Sequence, residues 1–379
     1  MKQIIRQIKY YAFLFVLVAP LCAQNTNFEK FEKLKNSENI TAISEQTLKI
    51  LPLGNSITQS KIPHFSYRYN LWKELIDSGI KFDFVGSLDS NFQGKPSWPD
   101  YRGFQFDSDN EGHWGWRADE LLDSLPVWLT GYTPNIVLMH VGSNDCNQNN
   151  STLSTVQEIT QIINLLRADN SEVSILLAKL IPWDNTTINS RINDLNSKFD
   201  SLATNLNTES SKIIVVDQNT GLDAVNDTFD GVHPNESGEE KMASVWFSGI
   251  KTALAKLSVK VFIQGVYISS NNMSDSLSNE SFFPTENPFT ISPWNYSGTE
   301  KVTSIPADVV DWVMLSIRND ISEESTFSRR AAFINSNGDI VDLDGVSPVS
   351  IFAQKNNYYI VVEHRNHLKV MSDNKILIE

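Results

Sequence analysis

From Leu48 to Leu257 short apolar runs alternate with stretches whose apolar residues fall three and four apart, and this alternation restricts the fold more than any other feature. The runs Leu48–Leu53, Phe82–Val85, Ile136–His140, Val173–Ile181 and Ile213–Val216 read as buried strands. Between them, Tyr69, Trp72, Leu75 and Ile76, and again Val156, Ile159, Ile162, Ile163 and Leu166, carry helical spacing. Repetition of strand and helix implies a parallel sheet with helices on both faces, a three-layer α/β/α arrangement of five strands. The last helix is the clearest: Met242, Val245, Trp246, Ile250, Ala253, Leu254 and Leu257 share one stripe after Pro234–Gly238. Beyond Leu257 the texture turns β-like, with Val259–Ile268, Val309–Ile317, Ala331–Ile334 and Tyr358–Glu363 separated by Asn, Ser, Gly and Pro clusters. The expected organisation is an α/β domain over 47–257 and a smaller, mostly β, sandwich-like domain over 258–379, which suits a chain of 379 residues.

The amino terminus reads differently. Lys2, Arg6 and Lys9 precede an apolar run from Tyr10 to Val18, with Pro20 and the small residues Ala19 and Ala23 after it. That is the pattern of a secretory signal peptide over residues 1–23, and it places the protein outside the cytoplasm, secreted or at the cell surface or in the periplasm. Lipidation at Cys22 is the alternative, opposed by the bulk of Leu21. The apolar run is shorter than the roughly 20 residues that cross a bilayer, so no integral membrane segment is expected after cleavage. Residues 24–46 are polar without a sustained period and suggest a linker. With Cys22 removed, Cys146 stands alone, and stability must come from a packed core rather than a disulfide. The 45 acids and 31 bases leave a net charge of −14, which opposes nucleic acid or anionic lipid as a partner.

In open parallel sheets, ligands collect beyond the carboxyl ends of the strands, so the loops there carry the argument. After the first strand, Gly54-Asn55-Ser56 puts a serine in a tight strand-to-helix turn, where it is either a nucleophile or an ordinary turn residue. The third strand runs into Gly142-Ser143-Asn144-Asp145, whose amide is either an oxyanion donor or a helix cap. Asp230-Gly231-Val232-His233 brings a carboxylate and an imidazole onto one loop ahead of the last helix. Serine catalysis needs that pair, because a hydroxyl is inert until a neighbouring imidazole takes its proton. Gly112-His113-Trp114-Gly115 lies on the connection between the second and third strands, where a glycine lets a backbone N–H approach a reacting carbonyl.

These four blocks, in this order, resemble the SGNH or GDSL-type hydrolase superfamily. Within it the chain is similar to secreted carbohydrate esterases of the acetylxylan-esterase kind, carbohydrate esterase family 3. The further matching stretches are Leu51–Thr58, Ser66-Tyr67-Arg68, Asp83–Ser87, Gly115–Leu121 and Ala178–Pro182. The resemblance covers about residues 47–257 and implies a flavodoxin-like parallel sheet. It implies Ser56 as nucleophile, His233 as general base and then acid, and Asp230 as the group that orients His233. Oxyanion donors would be the Ser56 and Gly115 N–H groups and the Asn144 amide. Asn55 stands where many members have Asp, which bears on loop hydrogen bonding rather than on proton transfer.

The implied activity is hydrolysis of short acyl esters, acetyl above all, on a polysaccharide or oligosaccharide, with no metal or other cofactor. A lipase or lysophospholipase on the same scaffold and a non-catalytic sugar-binding protein are the alternatives. Trp98, Trp114, Trp116 and Trp183 fall in or near the rim loops, where flat rings suit sugar as well as simple packing. Cys146 reads as a small buried hydrophobe. Glu363-His364-Arg365-Asn366-His367 offers either metal ligands or polar strand-edge residues, and the second reading is preferred because no third ligand is evident. Residues 258–379 resemble a β module attached to secreted and surface proteins of Bacteroidetes-type bacteria, through Asp311-Trp312-Val313, Gly338–Asp342 and His364–Leu368. Accessory sugar binding and a structural or sorting role are both open for it.

Overall fold

The structure is a computed structural model that describes Ile43 and residues 45–378. The expected signal peptide and nearly all of the expected linker lie outside the described residues. β1 (Leu48–Asn55), β2 (Phe82–Phe84), β3 (Glu111–His113), β4 (Ile136–His140), β5 (Ser174–Lys179) and β6 (Ile213–Asp217) form one parallel sheet. The order β2-β1-β4-β5-β6 is that of a flavodoxin-like sheet. The sixth strand, β3, was not expected. It pairs with the carboxyl half of β1, from Leu53 opposite Glu111 to Asn55 opposite His113, while β2 occupies the amino half. Its Glu-Gly-His sequence carries no apolar or β-branched signal, so nothing in the pattern marks it as a strand.

Strand alternation sorts the core into two layers. Leu51, Leu53, Val137, Met139, Ile175 and Leu177 pack under the helices Ala118–Trp128, Thr152–Asp169 and Thr186–Leu206. Ile50, Leu138, Leu176, Ala178 and Val216 face the helices Tyr67–Ser78 and Glu236–Ala253. Met242, Trp246 and Ile250 of the last helix are fully buried, which is why that stripe was legible from spacing alone. At roughly 1.5–3 kcal/mol for each large apolar side chain, these layers hold the strand ends, and so the rim loops, in fixed positions. No described helix is long and apolar enough to cross a membrane.

Leu254 packs in the first region and Leu257 in the second. The second region contains β7 (Ala255–Leu257), β8 (Val259–Lys260), β9 (Tyr267–Ser269), β10 (Asn272–Met273), β11 (Val309–Arg318), β12 (Thr326–Asn335), β13 (Asp339–Val341), β14 (Val349–Ile351), β15 (Asn356–His364), β16 (His367–Met371) and β17 (Ile376–Ile378). Its main sheet is antiparallel and seven-stranded, in the order β16-β15-β11-β12-β13-β8 with β17 on β15. The layer opposite is smaller than a full second sheet. Phe283, Phe289, Trp294 and Tyr296 cover one face through Trp312 and Phe333, and Ile263, Met273 and the β7–β14 ladder cover the other.

This region docks at the amino end of the parallel sheet. Arg330 donates to the Ser78 carbonyl at the end of its helix, Arg102 Nη1 donates to Thr299 O at 2.7 Å, and Gln46 N donates to Phe327 O at 2.9 Å. A cleft lined by Leu48, Asn135, Ser174, Lys212, Phe352 and Lys355 marks the seam, with the strand beginnings on one side. The carboxyl end of the sheet lies opposite.

The His364–His367 segment turns out to be a hairpin lock. His364 Nε2 lies 3.0 Å from the buried Asp311 carboxylate, and its Nδ1 lies 2.9 Å from His367 Nδ1 and accepts from Asn366 N. Arg365 also bonds Asp311, at 2.6 Å, and Glu363 is held by Arg318. His364, His367, Glu363 and one Arg365 nitrogen thus have partners in their own sheet, while Arg365 Nε is buried without one among the described residues.

Candidate active site

β1 ends where Asn55 turns the chain into the four-residue helix Ser56–Gln59. Asn55 Oδ1 caps that helix by accepting from Ile57 N at 3.1 Å, the task a carboxylate would perform in its place, while its Nδ2 is buried without a partner among the described residues. The turn is tight: a Cβ on Gly54 would lie 2.4 Å from Thr58 Oγ1 and 2.7 Å from the His140 carbonyl, so only glycine fits. The far end of the helix is held by Arg68, wholly buried, which donates through Nε to Thr58 O and through Nη2 to Gln59 O and Asn91 Oδ1. Ser56 is therefore rigidly placed and 6% exposed. Its Oγ has no hydrogen-bond partner among the described residues, which leaves the hydroxyl free to turn.

The other groups reach the same rim along neighbouring strands. β3 leads into Trp114, whose N–H donates to Gln59 Oε1 at 3.0 Å and ties this loop to the Ser56 helix. Gly115 follows with φ +85° and open space where a side chain would stand. Gly112 has a different job, since a Cβ there would lie 2.4 Å from Gln59 N. The loop is anchored from below by the buried Glu111 carboxylate, which accepts from Ser87 N, Ser87 Oγ and Tyr132 OH and contacts His113 Nε2 at 2.8 Å. After β4, Asn144 opens the short helix Ser143–Asn147. Its Nδ2 donates one hydrogen to Trp116 O at 2.8 Å, which fixes the amide and leaves the second hydrogen for another acceptor.

Asp230 and His233 form a closed unit ahead of the last helix. Asp230 Oδ1 accepts from Val232 N at 3.2 Å and His233 N at 2.8 Å, and Oδ2 lies 2.8 Å from His233 Nδ1. Gly231, at φ +84°, makes the reversal. With Nδ1 donating to the carboxylate, Nε2 carries the lone pair. Burial lowers the His233 pKa, the Asp230 contact raises it, and Lys61 lowers it, so the ring stays below its ordinary value and is neutral at neutral pH. Burial alone would raise the Asp230 pKa, but the His233 N–H, the His233 ring and the Val232 N–H hold it below the usual carboxylate range.

The imidazole sits in a column of five nearly parallel rings. Trp114 stacks on His233 at 4.5 Å and Phe92 on Trp114 at 4.6 Å, while Phe229 lies 5.6 Å from His233 and 3.9 Å from His64. The structure thus places Ser56, Gly115, Asn144, Asp230, His233 and Trp114 on loops and turns at the carboxyl edge of the sheet, linked through Trp114 and Trp116, with no hydrogen bond between Ser56 Oγ and His233 Nε2. It disposes the other tryptophans differently. Trp116 stacks on His113 at 4.4 Å, Trp183 is buried in the core, and Trp98 packs on Phe106 and donates to Phe65 O, so these rings face protein. Trp114 likewise has Phe92 and His233 as stacking partners.

Phe92, Phe229, His64 and Lys61 belong to the site and were absent from the sequence reading. No spacing announces them. The nearest signal was position, since Lys61 and His64 follow the Ser56 turn and Phe229 immediately precedes Asp230.

Two other titratable features lie behind the rim. Cys146 is buried, and burial pushes its thiol up to about 12, so it stays protonated and packs as a hydrophobe. Asp119, Asp145 and Glu158 place carboxylate oxygens within 4.8 Å of one another, the group of described residues that could hold a cation. Asp119 is already paired with Arg117 at 2.8 Å, and burial raises Asp145 to about 6.

The similarity to known proteins falls on the parallel-sheet region. The model of a family described as GDSL-like lipase/acylhydrolase matches residues 53–241. A multidomain esterase from Ruminococcus flavefaciens is 28% identical over 221 residues, which cover 54% of this chain and 28% of that protein, so the chain spans little more than a quarter of this relative. A carbohydrate esterase family 3 structure from Talaromyces cellulolyticus is 27% identical, covers 54% of this chain and 97% of its own, and superposes with a TM-score of 0.49. A Clostridium thermocellum family 3 carbohydrate esterase is 26% identical, with 55% and 98% covered and a TM-score of 0.46.

Proposed function

The chain belongs to the GDSL-like lipase/acylhydrolase family through residues 53–241, and from that premise we propose that it is an exported serine esterase removing short acyl groups, acetyl above all, from carbohydrate. Ser56 Oγ attacks the ester carbonyl as His233 Nε2 takes its proton. The alcohol then leaves with that proton, and His233 activates a water that hydrolyses the acyl-Ser56 intermediate. Asp230 keeps the imidazole in the tautomer this requires and stabilises the imidazolium that forms. The Ser56 and Gly115 N–H groups and the free hydrogen of Asn144 Nδ2 receive the negative oxygen of each tetrahedral intermediate.

The observation that carries the reading is the 2.8 Å contact of His233 Nδ1 with Asp230 Oδ2, which leaves Nε2 as the basic nitrogen of a ring stacked on Trp114, the residue whose N–H bonds the Ser56 helix through Gln59. The esterase relative supports the reaction, and the carbohydrate-esterase motifs of residues 51–58 and 115–121 support the substrate class. Export is supported by the pattern of residues 1–23. Ser56→Ala is expected to lower kcat for 4-nitrophenyl acetate about 10⁶-fold, with an unchanged unfolding midpoint and no labelling by a fluorophosphonate. A Ser56→Ala protein that still hydrolyses the ester sinks the nucleophile. In the wild type, acetate release from acetylated xylan should accompany a fall in rate along nitrophenyl esters of increasing length, and a preference for long chains sinks the acetyl part.

A further inference from the structure

Lys61 and His64 are polar rim residues whose chemistry the acyl-transfer scheme leaves unused. The Lys61 ammonium lies 5.0 Å from the Phe229 ring centroid and 5.7 Å from that of Trp114, the two rings flanking His233. The residue is half-buried and, among the described residues, pairs with no carboxylate, although the chain carries an excess of 14 negative charges. Aromatic faces hold an ammonium in place without neutralising it, so its charge stays available to a ligand. Three residues on, His64 stacks on the same Phe229 ring, and neither of its ring nitrogens has a described partner. The titratable groups acting on His64 are Lys61, Asp230 and His233, those acting on His233 are Asp230 and Lys61, and Asp230 is already committed to His233. One ammonium beside one neutral imidazole donor matches a single negative charge.

Resting on the esterase reading above, we infer that Lys61, assisted by His64, binds a singly charged oxyanion on the sugar next to the ester, making an acidic carbohydrate the preferred substrate. The carboxylate of a uronic acid and a sulfate ester share this chemistry. The rest of the chain repels such a substrate at long range, so the preference is a short-range effect of this one ammonium.

The test compares kcat/KM on three acetylated methyl glycosides: an uncharged glucoside, a glucuronide and a glucoside 6-sulfate. At low ionic strength the wild type should favour one or both anionic esters by about fivefold, the scale of a partly exposed charge pair. Lys61→Met should bring that ratio to one or below, Lys61→Arg should retain most of it, and 0.5 M sodium chloride should shrink it in the wild type. Because the readout is a ratio, a general loss of activity in a variant cancels, and the salt series needs no variant. Which anionic ester gains identifies the group bound. A wild-type ratio near one, or a ratio that survives Lys61→Met, overturns the assignment while leaving the esterase intact. Absence of hydrolysis even of 4-nitrophenyl acetate overturns both.

Discussion

The two ends of the parallel sheet are made by the same strands and treat their polar groups in opposite ways. At the carboxyl end, Ser56 Oγ, His233 Nε2 and one hydrogen of Asn144 Nδ2 are held in place by the bonds of their neighbours while lacking described partners themselves. At the amino end, buried charges are paired with one another, although Arg330 Nε has no partner among the described residues. Arg330, wholly buried, donates to Asp342 Oδ1 at 3.0 Å and to the Ser78 carbonyl. Burial would raise the Asp342 pKa, but Arg330 brings it down to about 2. Beside it Glu300, buried and raised to about 7, accepts from Tyr296 OH, Asn287 Nδ2 and Ala331 N. Held but unpaired groups suit a reaction, because they gain partners only as charge develops. Held and paired groups suit a joint between regions.

Removing one partner from a buried pair is the strongest way to break the amino end alone. Arg330→Met leaves the buried Asp342 with only Lys251, at 4.0 Å, as a cation, and losing one partner of a buried pair costs about 3–5 kcal/mol. Urea unfolding should show that drop, while kcat/KM of the folded fraction on 4-nitrophenyl acetate stays at the wild-type value. A tenfold loss of kcat/KM in that variant under conditions where it remains folded would show the two ends to be coupled and erase the contrast.

At the carboxyl end the matching change is Asn144→Ala. Loss of one oxyanion donor typically lowers kcat by about 10²–10³. The same substitution frees the Trp116 carbonyl, so KM and the unfolding midpoint should be measured together with kcat. A fall in kcat at nearly constant KM is the expected pattern. Full activity would remove Asn144 from the donor set.

How much of this was legible in the sequence follows from the same contrast. β1, β4, β5 and the Met242–Trp246–Ile250 stripe were readable because deep burial imposes an apolar pattern. Ser56, Asn144, Asp230 and His233 were readable because their neighbours, Gly54, Gly142 and Gly231, are demanded by turns within one short segment each. β3 was not, since its place beside β1 is set by Gly112 fitting against the Gln59 backbone and by the Glu111 network, contacts that join distant segments. Lys61, His64, Phe92 and Phe229 escaped for the same reason, because a ring column assembled from four separate loops leaves no spacing to detect. The tryptophans were visible as residues, but their surroundings were not, and packing against His113, Phe106 and the core claims most of their faces.

The smallest expected effect concerns the charges around His233 itself. The neutral ring is the base, so kcat/KM should fall on the acid side with an apparent pKa below the ordinary histidine value of 6.5, the direction burial imposes. Two substitutions should then move that limb in opposite directions. Asp230→Asn removes a negative neighbour that raises the His233 pKa, so its limb should shift to lower pH, whatever the loss in absolute rate. Lys61→Met removes a positive neighbour that lowers it, so its limb should shift to higher pH. Profiles of kcat/KM against pH for the three proteins decide the matter, because a merely structural disturbance has no reason to change sign with the charge removed. If both variants shift the same way, His233 is not titrating under the joint influence of Asp230 and Lys61, and the electrostatic account of the carboxyl end is wrong.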